Sequence, residues 1–101
     1  MFYTVEILLK AQVELLKSLE WYDEQLEGLG DRLEFSVLKK INSIANHPLL
    51  YPSKKSDFRE CKVDDFPFLI VYKVNNQKKL VTVYSIFHTS RRPGKKYRSN
   101  L

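Results

Sequence analysis

The chain has 101 residues, of which 44% are hydrophobic and 29% charged, with a formal net charge of +5. That size and balance describe one ordinary globular domain spanning residues 1–101 with a two-layer core, and exclude collagenous, low-complexity and membrane-spanning classes. A single cysteine, Cys61, excludes an internal disulfide framework and a cysteine-rich metal site, and fits a reducing cytoplasm.

The N-terminal stretch lacks the pattern of a signal peptide, and no apolar run approaches the length of a membrane span. Charge is unevenly divided. Residues 1–52 carry five Lys/Arg against eight Asp/Glu, residues 53–101 carry twelve against four, and no acidic side chain follows Asp65. Such asymmetry points to a polyanionic or acidic partner, against the plain alternative of a solvated surface.

In chain order, Tyr3, Val5, Ile7 and Leu9 alternate with polar Glu6, which predicts a first strand over Tyr3 to Leu9. Leu15, Leu19, Tyr22 and Leu26 then recur at helical spacing, widened by Val13 and Leu16. Glu20, Asp23, Glu24 and Glu27 fill the other side, so a helix is expected from Ala11 to Glu27. Gly28-Leu29-Gly30 breaks it. Asp31, followed by Glu34, has the spacing of a capping box. Leu33, Val37, Ile41 and Ile44, joined by Leu38 and Ala45, form the next stripe, which His47-Pro48 should end near Asn46.

A loop over Pro48 to Ser56 carries Lys54 and Lys55. Three strand-like runs follow: Asp57 to Val63, polar and mixed; Phe68 to Val74, apolar on both faces and therefore central; and Leu80 to His88, with Val81, Val83, Ser85 and Phe87 expected to share one face. Turn formers at 64–67 and 75–78 imply antiparallel neighbours. The order βααβββ predicts an α+β fold, a helical hairpin on one face of a mostly antiparallel four-stranded sheet. After His88 the chain turns basic, with Arg91, Arg92, Lys95, Lys96 and Arg98.

Three segments carry a family resemblance: SLEWYDEQLEGLGDRLEFSVLKKINSIANHP, FRECKVDDFPFLIVYKV and VTVYSIFHTSRRP. In this order they resemble the RelE/ParE superfamily, the toxins of bacterial type II toxin–antitoxin modules. Gly28-Leu29-Gly30 and Phe66-Pro67 resemble its ParE-like, plasmid-stabilisation branch. The resemblance implies a growth-inhibiting cytoplasmic toxin, silenced by a cognate antitoxin in a hetero-oligomer. ParE-like members inhibit DNA gyrase and have no chemistry of their own; RelE-like members cut messenger RNA on the ribosome. A degenerate, non-toxic member is the third alternative.

RNA cleavage would need a group to activate the 2′-OH, cations for the charged phosphorane and an acid for the leaving oxygen. By resemblance the candidates are Arg59, His88, Arg91 and Tyr97. Leu69 stands where RelE-like enzymes carry a catalytic arginine, which favours the gyrase reading. A surface for target or antitoxin would draw on Lys54, Lys55, Arg59, Lys62, Arg91, Arg92, Lys95 and Lys96, and the antitoxin segment touching it should be acidic. For each residue there is a plainer role: backbone hydrogen bonding for His88, solvation for Lys54 and Lys55, packing for Cys61, Trp21 and Tyr22, with the exposed part of Trp21 free to meet a partner. No metal-ligand spacing and no cofactor motif occurs.

Overall fold

The computed structural model describes residues 2–90. Its elements are β1 (Thr4–Ile7), α1 (Leu9–Gln25), α2 (Leu29–Asn46), a short 3₁₀ turn (Lys55–Asp57), β2 (Arg59–Lys62), β3 (Phe68–Asn75) and β4 (Leu80–His88). The sheet runs β1-β4-β3-β2. Both β2–β3 and β3–β4 are antiparallel, while β1 lies parallel to β4. The expected α+β arrangement is therefore present. The apolar β3 is an inner strand and the mixed β2 lies at an edge.

The core lies between the helical hairpin and one sheet face. Ala11, Leu33, Val37 and Ile44 from the helices meet Cys61, Ile70, Tyr72, Val81, Val83 and Ile86 from the sheet. Each aliphatic side chain so buried contributes about 1.5–3 kcal/mol. The two inner turns follow from their sequences. Asn75 Oδ1 accepts the Lys78 amide at 3.0 Å, and the Phe68 amide donates to Phe66 O at 2.8 Å across Pro67.

Four local expectations are corrected. The first strand ends at Ile7, and α1 begins at Leu9 instead of Ala11 and stops at Gln25. Leu8 turns the chain while its amide still bonds Val83 O at 3.0 Å, which leaves Leu9 73% exposed at the start of the helix. Second, Asp31 is not the N-cap of α2. That position is Gly28, at φ 89°, and the helix starts at Leu29. Gly30 sits inside the helix, where its amide donates to Asp23 Oδ1 at 2.7 Å. A carboxylate from the preceding helix thus does the capping expected of the local sequence.

Third, the strand expected to begin at Asp57 begins at Arg59. Ser56 and Asp57 adopt left-handed backbone, φ 57° and 66°, in the 3₁₀ turn. Fourth, simple alternation in β4 fails. Val71 pairs with Ser85 but Tyr72 pairs with Val83, so Tyr84 is the extra residue of a β-bulge. The bulge shifts the phase, and Val81 and Val83 share the core with Ile86 rather than Phe87. Tyr84 packs edge-on against Phe58 with ring centroids 5.0 Å apart. Lys73 Nζ stands 4.5 Å from the Phe58 ring centre.

Candidate functional site

Arg59 pairs with Tyr72 across the β2–β3 ladder, on the side that faces the helices. Its guanidinium donates to Tyr51 O at 2.6 Å and to Leu49 O at 3.4 Å. Beside it the Tyr72 hydroxyl donates to Pro48 O at 2.6 Å. Ser43 Oγ and the Tyr51 hydroxyl meet at 2.6 Å. Arg59 and Tyr72 together fasten the segment that leaves α2 to the sheet. Burial pushes the Tyr72 hydroxyl well above its ordinary range, so it stays a neutral donor. Burial also raises the Cys61 thiol, which is fully enclosed and poorly suited to act as a nucleophile.

His88 ends β4 opposite Phe68, with the two rings edge-on at 5.1 Å. Its Nδ1 accepts the Ser90 amide at 3.2 Å and lies 2.7 Å from Ser90 Oγ. Because the amide can only donate, the neutral ring carries its proton on Nε2. His88 borders a cleft of about 370 Å³ between α1 and the ends of β3 and β4, shared with Lys17, Ser18, Trp21, Tyr22, Phe68 and Ser90.

The candidates within residues 2–90 do not converge. Arg59 is opposite Tyr72 and His88 opposite Phe68, on different neighbours of β3, four ladder positions apart. That separates them by roughly 13 Å along the strand direction alone. Lys62 is exposed at the end of β2 and pairs with Leu69, which in turn pairs with Phe87. Lys54 and Lys55 are exposed beside the 3₁₀ turn. Arg91, Arg92, Lys95, Lys96 and Tyr97 lie outside the described residues.

The sequence sets Glu20, Asp23, Glu24 and Glu27 opposite the apolar stripe of the first helix and assigns no role to Glu14. Its Oε1 accepts Ser85 Oγ at 2.9 Å and the Ile86 amide at 3.0 Å, and its Oε2 pairs with Lys10 Nζ at 2.9 Å. The available signal was Lys10 itself, a lysine set in an apolar strand-to-helix junction with Glu14 one turn later. Among the described residues, no helix is long and apolar enough to cross a membrane, and no group of three His, Cys, Asp or Glu is placed to hold a metal ion.

Two helices on a four-stranded mixed sheet, with a basic segment following the last strand, define a toxin of the RelE/ParE superfamily. Residues 5–93 match the family model described as the ParE toxin of the type II toxin–antitoxin system parDE, and the chain belongs to that family. A structure of a chromosomal ParDE toxin–antitoxin system from P. aeruginosa superposes with a TM-score of 0.75 at 13% identity, covering 86% of this chain and 96% of that one. An E. coli RelE toxin mutant in the free state gives 0.65 at 21% identity, covering 85% and 82%. A RelBE toxin–antitoxin complex from Mycobacterium tuberculosis gives 0.63 at 15% identity, covering 99% and 95%. At these identities the structures share the fold. No curated protein sequence matches the chain.

Proposed function

We propose that this toxin arrests growth by binding and blocking DNA gyrase in the cytoplasm, with no catalysis of its own, and that a cognate antitoxin with an acidic contact segment neutralises it. The observation that carries the choice is the position of Arg59. A nuclease would need its guanidinium turned towards a phosphorane, but here Nη1 is held by the carbonyls of Tyr51 and Leu49, which fix the side chain against the segment that follows α2. Leu69, in place of a strand-three arginine, and the distance between Arg59 and His88 weigh the same way. A missing cation at a transition-state phosphate costs about 10²–10³ in rate, by analogy with loss of an oxyanion donor.

An antitoxin partner is supported by the family and by its presence in the ParDE and RelBE structures that share this fold. The exposed lysines Lys54, Lys55 and Lys62, with Arg91, Arg92, Lys95 and Lys96 of the C-terminal segment, supply the charge for such a partner. Charge complementarity of this kind speeds encounter and makes it salt-sensitive. The test is a supercoiling assay with purified gyrase beside a translation assay with ribosome-bound mRNA. Inhibited supercoiling with intact mRNA is expected. Discrete mRNA cuts with full gyrase activity at saturating toxin would overturn the proposal.

A further inference from the structure

We draw no further inference here: the strongest candidate, the cleft between α1 and the ends of β3 and β4 bordered by Trp21 and His88, lies where the chain passes out of the described residues, and nothing in the structure shows what fills it.

Discussion

Glu14 on α1 accepts the backbone amide of Ile86 on β4 at 3.0 Å, and so takes the place of a strand neighbour. β1 pairs with β4 only as far as Ile7 and Val83, and the Leu8 amide makes the last bond of that edge. Beyond it the edge of β4 would be bare. The carboxylate closes it, while Lys10, only 5% exposed, balances the charge. The tie joins the strand-to-helix junction to the bulge at Tyr84, immediately before Ser85 and Ile86.

Removing one partner of a buried ion pair leaves the other charge stranded, at a cost of about 3–5 kcal/mol. Glu14→Ala should therefore lower stability by about that amount, less whatever solvent the partly exposed carboxylate already admits. Lys10→Met combined with Glu14→Gln removes both charges while the glutamine can still accept from Ile86, so it should recover a large part of the loss. Urea denaturation midpoints check both. A Glu14→Ala protein as stable as the parent would show that the tie is cosmetic.

The two glycines of the hairpin turn do different work, and substitution separates them. Gly28 needs its left-handed backbone at φ 89°, and a Cβ there would meet nothing within 4 Å. Gly28→Ala should cost about 1–2 kcal/mol from backbone strain. Gly30 has ordinary helical backbone, but its Cβ would stand 2.6 Å from Leu19 O and 2.8 Å from the Asp23 side chain. Gly30→Ala must push α1 and α2 apart and disturb the Asp23 cap, so about 2–3 kcal/mol is expected. Thermal unfolding of the two variants should rank Gly30→Ala as the more damaging.

Arg59 distinguishes a structural from a catalytic role. Its charged hydrogen bonds to Tyr51 O and Leu49 O are worth about 1.5–3 kcal/mol. Arg59→Ala should lower the unfolding midpoint accordingly, and toxicity should fall only in step with the folded fraction. Full stability with complete loss of toxicity would instead place Arg59 in the working surface. Arg59→Lys keeps the charge on a single nitrogen but loses the planar fork and its reach, and should lie between parent and alanine.

These relationships mark where the sequence could be read and where it could not. β3 and β4 were legible because long apolar runs between turn formers have few alternatives, and α1 and α2 because their stripes repeat at helical spacing. The break after α1 was legible, but the division of labour between Gly28 and Gly30 depends on a neighbouring helix and leaves no local mark. The Tyr84 bulge was hidden in a strand whose residues suit either face. Arg59 and Glu14 share one difficulty: the sequence alone does not show the tertiary partners of a charged side chain, so it reads as solvated or functional. The cleft at His88 assembles α1 with the ends of two strands, and only the exposed Trp21 hinted at it.

Tyr72 provides a pH test of the clamp on the post-helix segment. Its hydroxyl ionises near 10 in an unfolded chain, and burial, the largest cause, raises that value in the folded protein. The folded state therefore holds its proton where the unfolded state releases it. The Tyr72 contribution is fully present below about pH 10 and is lost as pH rises through the raised value. Tyr72→Phe removes the titration along with the bond to Pro48 O, so it should be less stable than the parent at neutral pH by about 1 kcal/mol. Above pH 10 the parent should lose stability more steeply than the variant, and the gap should narrow. Parallel unfolding midpoints across the alkaline range, with the gap unchanged, would show that the Tyr72 hydroxyl is not protected by its burial.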